Sequence, residues 1–420
     1  MAPGTPILLN GPVKAGAGPV NVPGVSATIY GAPALTGPFN NMGVPGAKIF
    51  HLGLLGYPTL NPYFGRFATT AGTSIMADAL VQAPTFFSLW IGANDVLSYA
   101  ASGGIGVNQT GNVNPATYGI NDITDPNVFA SVYSGLVNSL TANGAKGVVG
   151  NVADVNTLPF FTVVPHNPLT NSVLGGGNEA VGVGTATALN AQLYGPLHNA
   201  LAYLGQGSRI ALLSTTTANP MLIKDESLTN LSAALTQVLM GGGLDAATAG
   251  QLGFIFGQVR QATSSDLILL TTKSVIGTAP TAANSGLGVA PAYPLNSFGI
   301  TFPLQDQHVL IPTEIAEVKV ATDAYNATIK AVAEAKGLAF VDAKAILTQL
   351  STGGIVSSSF NLSSTYVTGG VFSLDGIHPS PRGYALIANS FSAAINSTYG
   401  STLPMINLGL YPIFYPMVLN

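Results

Sequence analysis

The sequence predicts an α/β protein built on a parallel sheet, and three helix-to-strand steps along the chain predict it. In each step, apolar residues recurring at helical spacing give way to a short apolar run of the kind that forms a strand. Parallel neighbours need such crossovers, whereas antiparallel neighbours are joined by tight turns.

In chain order, the first 45 residues are rich in Gly and Pro and read as loops with short extended pieces, without a complete opening strand. Thr85 to Ile91, between Ala83-Pro84 and Gly92, is mostly apolar and aromatic, the pattern of a buried parallel strand that ends in a loop. Asp125-Pro126 has the N-cap and first-turn chemistry of a helix. Val128, Phe129, Val132, Leu136, Val137 and Leu140 then follow at helical spacing until Asn143-Gly144. Gly147 to Val152 supplies the next strand. The second step runs from a helix near Ala186 to Leu204 into Ile210-Ala211-Leu212-Leu213. The third runs from Glu314 to Lys336, turns at Gly337 and enters Leu338 to Asp342. Residues 215–312 interrupt the rhythm with an amphipathic stretch (Leu228 to Met240), Gly241-Gly242-Gly243, a further helical stretch and a Pro/Gly/Ala-rich segment. We read them as an insertion packed on the core of a single domain. No period of roughly 20–50 residues repeats, which argues against a solenoid.

Composition narrows the function classes. Only 7% of the 420 residues are Asp, Glu, Lys or Arg, against roughly 25% in an ordinary domain. The surface is therefore expected to be neutral and rich in hydroxyls and amides. A net charge of -4 without basic runs offers nothing to a phosphate backbone or an anionic membrane, so nucleic acid is not an expected partner. No window approaches the roughly 18 uninterrupted apolar residues of a spanning helix. The absence of cysteine excludes disulfides, thiolate metal sites and a cysteine nucleophile. The charge-poor, Asn/Thr/Gly-rich surface suits a secreted or cell-surface protein, although Met1-Ala2-Pro3-Gly4 begins no signal peptide.

Three segments carry chemistry. Asp375-Gly376-Ile377-His378 places a carboxylate three residues before an imidazole. In a tight turn or helix start the two lie on one side, with Asp375 accepting from one ring nitrogen while the other faces a cleft. Alone, the pattern is far more often a surface cap than a catalytic pair. Gly92-Ala93-Asn94-Asp95 follows the Thr85-to-Ile91 strand directly, at the carboxyl end where open parallel sheets bind ligands. There Asn94 can direct its amide toward an oxyanion; the plainer reading is that Asn94 and Asp95 cap the next helix. Asn40-Asn41-Met42-Gly43-Val44-Pro45-Gly46-Ala47 is a turn-rich loop in which Gly43 lets backbone approach a ligand and offer its N–H.

In this order, the three segments resemble the later conserved blocks of the SGNH, or GDSL, hydrolases. The likeness is closest to the large GDSL-type lipase-like proteins of Bacteroidetes-type bacteria, through Gly37-Pro38-Phe39-Asn40-Asn41 and Phe87-Ser88-Leu89-Trp90-Ile91-Gly92, and spans nearly the whole chain. The resemblance implies a flavodoxin-like three-layer α/β/α SGNH-hydrolase fold. It also implies hydrolysis of a carboxylic ester of lipid or glycan, without a cofactor or metal. By that likeness His378 is the general base, Asp375 orients it, and Asn94 with the Gly43 amide forms the oxyanion hole. One block departs: the family's Gly-Asp-Ser or Gly-Asn-Ser nucleophile motif is absent from the sequence. The family order places that block, with the first strand and an export signal, before residue 1, so we expect a fragment inactive by itself. Ser74, Ser88 and Ser98 lack the strand-turn-helix setting of a nucleophile. The rival reading is a catalytically inactive surface or carbohydrate-binding protein, favoured by the missing serine and the charge-poor composition.

The remaining candidates read as structural. His51, His166, His198 and His308 fall in polar loops or on helix faces. Asp306-x-His308 together with Asp375 and His378 is too sparse for a metal centre, which needs three or four convergent ligands. Gly175-Gly176-Gly177 and Gly241-Gly242-Gly243 lack the Lys-Ser/Thr of a phosphate loop.

Overall fold

The computed structural model describes residues 7–9, 19–21, 35–357 and 360–413. Most of the Gly/Pro-rich opening segment lies outside the described residues. Within it, Ile7–Leu9 and Pro19–Asn21 pair antiparallel. The architecture is mixed α/β, and the chain divides into two compact units.

The first unit comprises residues 1–99, 106–160 and 317–420. At its centre a three-stranded parallel sheet runs β1 (Phe86–Leu89), β2 (Lys146–Gly150) and β3 (Ala339–Val341), in that order, with Ser88 opposite Val148 and Val148 opposite Ala339. All three strands fall where the apolar runs predict them. Residues with alternate side-chain directions serve two faces. Val148, Ala339 and Val341 point to one face, where Phe391, Ala394, Ile395 and Tyr399 of the long C-terminal helix Pro381–Tyr399 cover them. Glycine is required on β2 at both faces. A Cβ on Gly150 would meet Trp90 at 2.9 Å, and one on Gly147 would lie 2.5 Å from the Phe87 ring.

Two helices flank the sheet's carboxyl end: α1 (Asn94–Ala101) directly after β1, and α2 (Pro126–Thr141) before β2. Asp125 caps α2 as its sequence predicts, its carboxylate accepting from the amides of Asn127 and Val128 at 2.8 and 2.9 Å. Phe129 of α2 stacks on Tyr325 at 4.1 Å, and the Tyr325 hydroxyl donates to the Thr124 carbonyl.

The second unit comprises residues 100–105 and 161–316, so it takes in 161–214 as well as the 215–312 segment read as an insertion. It has its own core, centred on Leu169, Tyr194, Leu201, Leu222, Phe256 and Phe298. Here the sequence reading needs correction: Ile210 to Leu213 is not a strand. The segment's polar backbone is satisfied by side chains instead. Gln261 bonds both the N–H and the C=O of Ala211 at 3.0 and 3.1 Å, and Asn190 does the same for Leu213 at 2.7 and 2.8 Å. His198 adds a contact to the Ile210 carbonyl at 2.7 Å. A planar amide presents one donor and one acceptor, the same set that a neighbouring strand would offer. Among the described residues, no helix is long and apolar enough to cross a membrane.

Candidate active site

The Asp375–His378 pair sits in a tight turn just before the C-terminal helix, which Ser380 caps by accepting from the Gly383 amide at 3.0 Å. The turn is closed by the Ser373 amide donating to the His378 carbonyl at 2.7 Å, with Gly376 at φ +72, a left-handed conformation that favours glycine. Asp375 is the hub. One carboxylate oxygen accepts from the Ser373 hydroxyl at 2.6 Å and from the amides of Ile377 and His378, both at 2.9 Å. The other meets His378 Nδ1 at 2.6 Å. Burial pushes the Asp375 carboxyl up, but the bonds from His378, Ser373 and the two amides outweigh it and hold the group at about 2. His378 is raised above its ordinary 6.5, chiefly by the hydrogen bond to Asp375, against the opposing effect of burial. Its side chain is 67% exposed, so the second nitrogen is open to solvent.

Asn94 opens α1 immediately beyond β1. The turn before it depends on Gly92, which has φ +116 and leaves no room for a Cβ: Val152 would be 2.8 Å away and Phe129 3.0 Å. Capping is not what Asn94 does. Its Nδ2 donates to the Ala47 carbonyl at 3.0 Å. Asp95 likewise reaches away from its own helix, accepting from the Ile49 amide at 3.0 Å and the Thr124 hydroxyl at 2.7 Å. Both contacts tie α1 to residues 47–49, the end of the Gly43 loop. Asp95 is fully buried, and burial pushes its carboxyl up to about 7 against the bonds from Thr124 and Ile49 and the charge of Lys48. Lys48 is itself buried and lowered by it, while Asp95 and Asp122 pull it back up; its ammonium donates to the Asp122 carbonyl at 2.5 Å.

Gly43 departs from its expected role in one respect. Its amide is committed to the Asn41 side chain at 3.0 Å, so it offers no free donor in this arrangement. A rotation of Asn41 would release it.

The positions of these groups follow from topology. Asn94 lies beyond the carboxyl end of β1. The Asp375–His378 turn is bonded to the segment beyond the carboxyl end of the adjacent β2, through the Phe160 amide and the Gly376 carbonyl at 3.0 Å. Trp90 links the same two strand ends, its indole donating to the Asn151 carbonyl at 2.9 Å. The structure thus joins His378 to Asp375, and Asn94 to the Gly43 loop. Among the described residues, no hydrogen bond connects the two groups directly. Ser74 caps a helix by accepting from the Ala77 amide, and Ser98 donates to the Asn94 carbonyl; neither is bonded to His378.

Ser373, Lys48 and the Phe160 amide were not singled out from the sequence. Ser373 had a readable signal, a hydroxyl two residues before an Asp, the spacing of a local turn bond. The partners of Lys48 lie far away in sequence, so it had none.

Two of the other histidines are tied into local turns. His51 and His308 each accept, through Nδ1, the amide three residues earlier, from Lys48 and Gln305, both at 3.0 Å. Burial lowers both to about 4, helped at His51 by the Lys48 charge. Asp306 and His308 belong to the second unit, and Asp375 and His378 to the first. Asp306 instead groups with Glu226 and Glu314, whose carboxylate oxygens all lie within 4.8 Å of one another. Three carboxylates at that spacing have the donor chemistry for a hard cation. Burial, together with a hydrogen bond that the protonated Glu314 donates to Glu226 and the charges of Glu226 and Asp306, instead pushes Glu314 to about 9 despite the Ile311 amide bond. No family model, curated protein or solved structure matches this chain, so the chemistry of the site stands on its own geometry.

Proposed function

We propose that this chain carries the base and oxyanion-binding parts of a serine-type hydrolase of carboxylic esters, on a flavodoxin-like three-layer fold of the SGNH type. The observation that carries the reading is the 2.6 Å contact of Asp375 with His378 Nδ1, which leaves the second ring nitrogen exposed. An imidazole held in one tautomer by a half-buried carboxylate takes a proton from a hydroxyl nucleophile and returns it to the leaving alcohol. Asn94 supplies an amide donor at the neighbouring strand end, and its bond to Ala47 fixes the direction of the second N–H. Release of the Gly43 amide from Asn41 adds a second donor. Among the described residues no serine hydroxyl is hydrogen-bonded to the His378 ring, so the nucleophile is the component this reading still requires.

The test expresses the longest in-frame reading frame that contains these 420 residues and follows turnover of p-nitrophenyl acetate. Turnover that falls by roughly 10³-fold or more in His378→Ala is the expected result. Absence of turnover from the longer product, or a rate indifferent to His378, refutes the proposal in favour of a non-catalytic binding protein.

A further inference from the structure

We infer that the second unit holds a binding site for a single pyranose sugar, in a cavity of about 170 Å³ lined by Lys224, Asn230, Phe254, Gln258, Phe302 and Gln305 among others. The inference is independent of the ester-hydrolase reading.

The three amides in this wall are each fixed at one end by the protein, and among the described residues no hydrogen bond holds the other end. Gln258 donates its amide hydrogens to the carbonyls of Glu226 and Leu228 at 3.1 and 2.8 Å, which leaves its oxygen as an acceptor. Gln305 donates to the Pro303 carbonyl at 2.8 Å, and its oxygen is likewise an acceptor. Asn230 is held the opposite way round. Its oxygen accepts from the amide and hydroxyl of Ser232 at 2.9 and 2.6 Å, so its nitrogen is the free end and a donor. The Lys224 ammonium adds a second donor and makes no ion pair among the described residues, although its charge reaches Asp306. Two oriented acceptors and two donors around one space match adjacent sugar hydroxyls, each of which both donates and accepts.

The apolar wall fits the same ligand. Phe254 is 65% exposed, whereas Phe302 is 1% exposed in the core beside it. A large aromatic face turned to water suits the C–H face of a sugar ring, whose rim carries the polar groups. The volume falls below the roughly 300–1,000 Å³ of drug-sized sites, which suits one small ring better than an extended ligand. A single ammonium is also a poor match for a nucleotide's phosphates.

The test titrates the full chain with glucose, galactose, mannose, N-acetylglucosamine and glucuronate, read by calorimetry and by NMR shifts. Saturable binding of at least one sugar is expected in the millimolar range, weakened roughly tenfold or more in Phe254→Ala or Gln258→Leu with circular dichroism unchanged. Phe254 stands on the helix Ala246–Phe256 and Gln258 in the turn that follows it, so a folding defect in one variant leaves the other as the test. No saturable binding up to about 50 mM, or binding that neither substitution weakens, overturns the inference.

Discussion

At the Asp375–His378 pair the two protonation equilibria stabilise the fold from opposite sides of the pH scale. His378 has a folded value above 6.5, so its contribution is complete below 6.5 and is lost as pH rises through the raised value. Asp375 has a folded value of about 2 against an ordinary 3.8, so its contribution is present above 3.8 and disappears as pH falls through about 2. Both act together between 3.8 and 6.5. An NMR titration should therefore place the His378 imidazole above 6.5 in the parent and at or below that value in Asp375→Asn, which keeps the shape and removes the charge. An unchanged midpoint would show that the carboxylate does not set the base. Glu314 obeys the same rule with larger displacement. Its folded value of about 9 means that stability present below 4.5 is lost as pH rises toward 9, because the carboxyl is buried and Glu226 and Asp306 face it. Glu314→Gln imitates the protonated form and keeps an acceptor for the Ile311 amide. It should stabilise the protein by on the order of 2 kcal/mol at pH 8 and by almost nothing at pH 4, read from melting at the two values.

Elements were legible where local chemistry and burial agreed. Helix α2 announced both ends, with Asp125-Pro126 at its start and Gly144 after its last turn at φ +79. The three sheet strands were readable because a parallel strand is a short apolar run after a helix. Ile210 to Leu213 has the same apolar pattern, and the error there is instructive: hydropathy registers burial, and this segment is buried at Ile210 and Leu213 without pairing in a sheet. Its backbone partners are the side chains of Asn190 and Gln261, and no sequence pattern joins residues 23 and 50 positions apart. Asn190→Leu should accordingly cost about 2–4 kcal/mol in a melting experiment, because the Leu213 N–H and C=O lose their partners where water is excluded. Gln261→Ala should cost under about 1 kcal/mol, since exposed Ala211 can bond to water. Equal losses would contradict this account. The site was half legible for the same reason: Asp375 and His378 are three residues apart and could be read, whereas the contact that turns Asn94 away from capping involves a carbonyl 47 positions earlier.

For the molecule as a whole, scarcity of charge and the open strand edge at β1 set the behaviour in solution. With 13 basic and 17 acidic residues in 420, few ion pairs exist to be screened, and melting should move little between low and high salt. The edge matters more. β2 and β3 border each other, but among the described residues no strand pairs with the outer side of β1. Parallel strands are ordinarily buried on both faces. Here Phe86 and Trp90 are 41% and 42% exposed, and Ser88 between them is also exposed. Tyr399 and Phe391 reach these rings from the C-terminal helix at 6.0 and 5.8 Å and cover them only in part. Apolar side chains beside unpaired backbone groups form a template for another strand, and natural edges are commonly blunted by a charge. β1 has none. Ser88→Lys should therefore suppress concentration-dependent association, measured by light scattering at fixed ionic strength, and leave the melting temperature nearly unchanged because the side chain already faces solvent. If Ser88→Lys associates as readily as the parent, the outer edge of β1 is covered and the exposed rings are not the cause. If it lowers the melting temperature by many degrees, position 88 packs against protein and the edge is closed.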